Sequence, residues 1–174
     1  MSITSGLSYD DRRLREDLSY IEHDMINRPR PYPYNVSNFL TITDGGAANV
    51  FGNYTQLIPI NTYDFGDDPN RVQVLGLCIC DMSANANYLV EFYKLVDGTY
   101  TALGATRFRR LGASVRSFLI HNPCRPFNND ETALYGRLKT SVATGENIEC
   151  SLIVARYLPT SICQPSSTGA WPWG

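Results

Sequence analysis

Between Ser8 and Met25 apolar residues recur at Leu14, Leu18, Ile21 and Met25, and Leu7 continues the same register one heptad earlier. That spacing lines the five up along one stripe of a helix, while Arg12, Arg13, Arg15, Glu16 and Asp17 take the other faces. Ser8 stands three residues before Asp11, a capping-box-like start. A helix of about 17 residues is marginal alone in water, because nucleation costs more than a few turns return. Its stripe must therefore pack, either on the chain's own body or on sister copies. The next stretch, Arg28-Pro29-Arg30-Pro31-Tyr32-Pro33-Tyr34, has proline at every second position. Proline excludes helix there and predicts an extended, semi-rigid spacer that separates helix from body and so favours sister copies as partners.

From Asn38 to Tyr157 the apolar period changes to two. It predicts eight strands near 37–43, 49–60, 71–81, 86–96, 99–108, 113–120, 131–141 and 147–157, divided by turn clusters such as Asp44-Gly45-Gly46 and Asn122-Pro123. Asp97-Gly98 between Val96 and Thr99 is a two-residue hairpin turn, since both residues tolerate positive φ. In the last strand Ile148, Cys150, Leu152 and Val154 give one wholly apolar face. Strands of this length without intervening helices predict an all-β fold, an antiparallel eight-stranded β-sandwich, jelly-roll-like, with a short N-terminal helix and an extended C-terminal tail. Strand order cannot be read from such a pattern. The predicted organisation is a helix and spacer over 1–34, the sandwich over 35–158 and a tail over 159–174. That tail turns small and polar before Trp171-Pro172-Trp173-Gly174, and two tryptophans at the tip of an arm are expected to dock on a partner or on the body.

Composition narrows the function classes. Apolar residues at 43% against 18% charged, with 11 Tyr and 7 Phe, belong to a folded β-protein rather than a disordered chain. Fifteen basic residues nearly balance 17 acidic ones, and no run of five like charges marks a nucleic-acid partner. No apolar run approaches the roughly 20 residues that span a bilayer, and the amino terminus lacks a signal pattern, so a soluble chain made in a cytoplasm, with no membrane partner, is expected. Cys78, Cys80, Cys124, Cys150 and Cys163 are then expected as free thiols. The sites Asn35-Val36-Ser37 and Asn53-Tyr54-Thr55 match a glycosylation pattern by chance.

Catalytic chemistry has little material. The histidines are His23 and His121 alone. His121 and Cys124 fall short of the ligands zinc needs, so no metal, cofactor or catalytic residue is expected. Asp64, Asp67 and Asp68 lack the spacing and terminal Glu of a calcium loop and read as a solvated turn. Gly45-Gly46 is followed by strand-like Val50-Phe51, not by a helix that would hold phosphate. Arg107, Arg109 and Arg110 form the one basic cluster, and alternation puts the first two on one strand face. A solvated sheet face is the simpler reading of it; acidic residues of a partner are the other.

The stretch Leu134-Tyr135-Gly136-Arg137-Leu138-Lys139-Thr140-Ser141, the Gly145 turn and the strand from Ile148 to Tyr157 resemble the closing strands of jelly-roll proteins on tailed-bacteriophage virions. So does Tyr88-Leu89-Val90-Glu91-Phe92-Tyr93 leading into Asp97-Gly98-Thr99-Tyr100. The resemblance covers about 38–157 in style. It implies a non-enzymatic head decoration or accessory virion protein, assembled in the host cytoplasm, whose partners are capsid or other virion proteins and its own copies. A homotrimer is favoured, with Leu7, Leu14, Leu18, Ile21 and Met25 as the association seam and Trp171 and Trp173 as docking anchors. The rival expectation is a carbohydrate-binding or receptor-binding module of a fibre or tail, for which Tyr32, Tyr34, Tyr54 and Tyr63 near loops are the support.

Overall fold

The computed structural model describes residue 18 and residues 28–34, 38–63, 71–112, 118–121 and 123–157. The predicted helix, apart from Leu18, and the predicted tail lie outside these residues. Among the described residues ten strands run in chain order: β1 Arg30–Tyr32, β2 Leu40–Thr43, β3 Thr55–Ile58, β4 Arg71–Met82, β5 Asn87–Val96, β6 Thr99–Arg109, β7 Phe118–His121, β8 Phe127–Asn128, β9 Leu134–Thr140 and β10 Asn147–Arg156. The eight expected strands are therefore too few for the described residues, by the short β1 and β8. β1 lies within the predicted spacer. Pro31 at its centre has no N–H to give, yet β1 pairs along an edge of β10, where only alternate backbone groups are called on. The middle of the spacer thus belongs to a sheet and does not stand apart from the body.

Every pairing is antiparallel. In the first sheet β10 pairs β4; β1 and β2 lie end to end along the free edge of β10, and β7 and β8 lie end to end along the free edge of β4. The second sheet has the order β3-β9-β5-β6. Outermost strands in the chain therefore pair with each other, β2 with β10 and β3 with β9, and so do inner ones, β4 with β7 and β5 with β6.

The two sheets share one apolar core, a β-sandwich-like arrangement. Ile148, Cys150, Leu152 and Val154 of β10 are all buried, as their alternation predicts, and meet Ile42, Leu57, Leu77, Ile79, Val90, Phe92 and Leu138 in the same cluster. β4 keeps its apolar residues inward only by two register shifts against β10, at Leu75 and Cys80, which serve as bulges between the inward sets Val72/Val74, Leu77/Ile79 and Met82. The hairpin between β5 and β6 turns at Asp97 and Gly98 with φ of 49° and 75°, the predicted turn chemistry.

Two buried polar groups fix the loops. Asp44 Oδ1 accepts from the backbone N–H of Gly46 and Glu146, and Oδ2 accepts from the Thr140 hydroxyl. The segment behind it runs along β9, with Asn49 N donating to Thr140 O at 2.6 Å and Gly52 N to Leu138 O at 2.8 Å. At the other end of the core Asn129 is fully buried. Its Oδ1 accepts from Thr62 N and Tyr63 N, and its Nδ2 donates to Pro59 O and Thr132 O.

Candidate functional site

Alternation sends Tyr88, Val90 and Phe92 of β5 and Leu134, Leu138 and Thr140 of β9 into the core. Their neighbours Leu89, Glu91 and Tyr93, and Tyr135, Arg137 and Lys139, take the outer face of the second sheet. The register sets Glu91 opposite Arg137, Tyr93 opposite Tyr135, and Leu89 between Lys139 on one side and Arg107 of β6 on the other.

Arg137 is the centre of this face. Its Nε and Nη2 donate to Glu91 Oε2 at 3.1 and 2.9 Å, and Nη2 also donates to the Tyr93 hydroxyl at 2.6 Å. The Tyr93 hydroxyl donates in turn to Glu91. Around the guanidinium stand the rings of Phe51, Tyr93 and Tyr54, at 4.1, 4.9 and 5.1 Å from its central carbon, close enough for cation–π attraction. Burial first, then the hydrogen bond and charge of Glu91, push the Tyr93 phenol up to about 12. Tyr54 stacks flat on Tyr100 with centroids 3.6 Å apart, and Tyr135 meets Tyr100 edge-on at 5.2 Å. The segment pinned along β9 supplies Phe51 and Tyr54, so the loop's backbone bonds position two of the three rings around the guanidinium.

Beyond Phe51 the face turns basic. Lys139 Nζ stands 4.6 Å from the Phe51 ring. An open groove of about 560 Å³ follows, lined by Asn49, Asn87, Leu89, Arg107, Arg109 and Lys139 among others. Arg110, expected in one cluster with Arg107 and Arg109, is turned away: its Nη1 donates to Met82 O and its backbone N–H to Ala86 O, tying the β4–β5 turn to the end of β6.

Of the expected association seam only Leu18 falls among the described residues; it is helical and 50% exposed. Leu7, Leu14, Ile21, Met25, Trp171 and Trp173 lie outside them. The four loop tyrosines do not form one set. Tyr32, Tyr34 and Tyr63 meet one another with centroids 6.0–6.5 Å apart beside β1, where Tyr63 is buried, whereas Tyr54 joins the outer face of the second sheet. Cys78, Cys80, Cys124 and Cys150 are free thiols, and Cys163 lies outside the described residues. Burial pushes the Cys124 thiol up to about 12. Among the described residues no three or more of His, Cys, Asp and Glu gather as a metal group, and no helix is long and apolar enough to cross a membrane.

Sequence reasoning missed Phe51, Glu91, Tyr93 and Arg137. For Glu91, Tyr93 and Arg137 the signal was present in the outward positions of β5 and β9, but it becomes a site only once those strands are known to be neighbours; Phe51 stands outside any strand and had no such signal. No family model matches the chain, and neither a curated protein nor a solved structure does.

Proposed function

We propose that this chain is a jelly-roll structural protein of a virion, an oligomeric capsid-decorating or accessory component that works by protein–protein assembly and not by catalysis. The observation that carries the reading is the nested pairing. Leaving aside the short β1 and β8, the first strand of eight pairs with the last, the second with the seventh, the third with the sixth and the fourth with the fifth, alternating between the two sheets. That is a long hairpin rolled up on itself, the arrangement of double-sheet jelly rolls in capsid proteins and lectins. The resemblance of β5, β9 and β10 to phage virion jelly rolls chooses among them. The Glu91–Arg137–Tyr93 network also spends its charges on itself, as a rigid surface does, where a catalytic acid or base needs a free face.

Assembly would run through the heptad seam, whose Leu18 is exposed on the single chain, and cyclic symmetry lets identical seams meet without open ends. Light scattering of the full chain at tens of micromolar tests this. A trimer is expected for the wild type, and Leu18→Asp with Ile21→Asp should dissociate it, because every copy of the seam then buries unpaired charge. A monomeric wild type, or an oligomer indifferent to the double substitution, refutes assembly through this helix.

A further inference from the structure

We infer that the outer face of the second sheet is a binding site for an oligosaccharide bearing carboxylate or sulfate groups, its anions held by Arg107, Arg109 and Lys139 and its sugar rings lying along Tyr54, Tyr100 and Tyr135. The assembly reading does not depend on this site.

The face is divided by charge. Arg137 at its centre is neutralised by Glu91 at 2.9 Å. Arg107 and Arg109 are exposed, and among the described residues no carboxylate pairs with either. Their side chains and that of Lys139 border one groove of about 560 Å³. The register puts Arg107 and Lys139 on either side of Leu89, roughly 10 Å apart at two strand spacings, with Arg109 one row along beside Asn87. An anion above Leu89 is within reach of all three long side chains. Arginine forks match the paired oxygens of carboxylate and sulfate, and the amides of Asn49 and Asn87 supply neutral donors and acceptors at the rim.

The other half offers what a sugar ring needs. Tyr54, Tyr100 and Tyr135 are part-exposed, pack edge and face against one another, and carry phenol groups beside apolar ring surface. An amphipathic pyranose, with apolar C–H patches and a hydroxyl rim, is complementary to such a surface. From the tyrosine row at Tyr93 to the basic row at Leu89 is four strand residues, or about 13 Å, which asks for an oligosaccharide rather than a monosaccharide. A nucleic-acid strand fits less well: it carries a charge at every unit, whereas the unpaired cations lie at one end only. Glu91 stands in the middle of the face, a carboxylate that a strand of phosphates would have to pass.

Isothermal titration of the full chain tests the inference with four probes: a galacturonic acid tetramer, its neutral methyl ester, a chondroitin sulfate tetrasaccharide and a single-stranded oligothymidylate. The expected result is saturable binding of at least one acidic tetrasaccharide, with the neutral ester at least about tenfold weaker. Arg107→Gln with Arg109→Gln should weaken acidic-probe binding by about tenfold or more at unchanged thermal unfolding, and Lys139→Gln should act in the same direction. If the double variant does not fold, Lys139→Gln alone decides. Tyr100→Ala should weaken the acidic and neutral sugars together. No binding of either acidic sugar, equal binding of the ester, tighter binding of oligothymidylate, or affinities indifferent to the arginine and lysine changes would each overturn the assignment.

Discussion

Gly52 joins the fold to the candidate face, and replacing it with alanine is the sharpest test of how that face is held. A Cβ added at Gly52 would lie 2.0 Å from the carbonyl oxygen of Thr43 and 2.9 Å from the backbone carbons of Thr43 and Asp44. Real Cβ contacts do not fall below 3.0 Å, so the Gly52 loop and the end of β2 must part by about 1 Å, and the obstacle is backbone that no rotamer change can clear. Two backbone bonds tie the segment that would move to β9, Gly52 N to Leu138 O and Asn49 N to Thr140 O. Their loss, at about 1 kcal/mol net each, adds to an overpacking cost of ~1–3 kcal/mol, so Gly52→Ala should destabilise by about 3–5 kcal/mol. That corresponds to a fall in melting temperature on the order of 10 °C. Phe51 and Tyr54 flank Gly52, so the same shift lifts their rings from Arg137 and Tyr100. Urea unfolding gives the energy, and the near-ultraviolet dichroism of the stacked tyrosines reports the face. A loss under about 1 kcal/mol with an unchanged tyrosine spectrum would show that the loop accommodates a methyl group and that the close backbone approach does not hold the site.

Asn129→Ala removes the four hydrogen bonds that join Pro59, Thr62 and Tyr63 to Thr132 inside the core; urea denaturation should show a loss of about 2–5 kcal/mol, and under 1 kcal/mol would deny the side chain its role. Burial holds the Tyr93 phenol and the Cys124 thiol protonated to about 12, above ordinary values of 10.0 and 9.0. Because both folded values are raised, their contribution is whole below pH 9 and drains away as the pH climbs toward 12. Urea midpoints should therefore hold level up to pH 9 and fall above it; a flat profile to pH 12 would contradict the burial of both groups. In the native protein an aromatic disulfide reagent should modify Cys78 and Cys80 well before the buried Cys124 and Cys150, as read by peptide mapping, and equal rates would contradict the core assignment.

The inward half of the sandwich was legible because burial imposes a period on the chain. Ile148, Cys150, Leu152 and Val154 announce a buried face wherever their strand ends up, and Asp97-Gly98 announces its turn from backbone preference alone. β1 and β8 were not legible, since three- and two-residue strands leave no period to read and owe their form to edges offered by β10 and β4. The bulges of β4 were hidden for a related reason: Val72, Val74, Leu77, Ile79 and Met82 read as one imperfect apolar run, and only the partner strand shows which residues are extra.

The outer face was illegible in another way. Its residues are individually unremarkable, a glutamate here and an arginine 46 positions on, and neither apolar alternation nor charge counting singles them out. Burial selects inward positions by type, but outward positions are free to vary, so their meaning depends on which strands become neighbours. Once β9 lies beside the β5–β6 hairpin, residues from a hairpin and from a strand some 25 positions further on form consecutive rows: Ser141, Asn87 and Arg109, then Lys139, Leu89 and Arg107, then Arg137 with Glu91, then Tyr135 with Tyr93. The charged rows and the aromatic row separate along the strands, while pairing across them neutralises Arg137 and leaves Arg107 and Arg109 to the solvent. A sheet fixes that pattern as firmly as it fixes its core, because each row is set by backbone hydrogen bonds rather than by the side chains it displays.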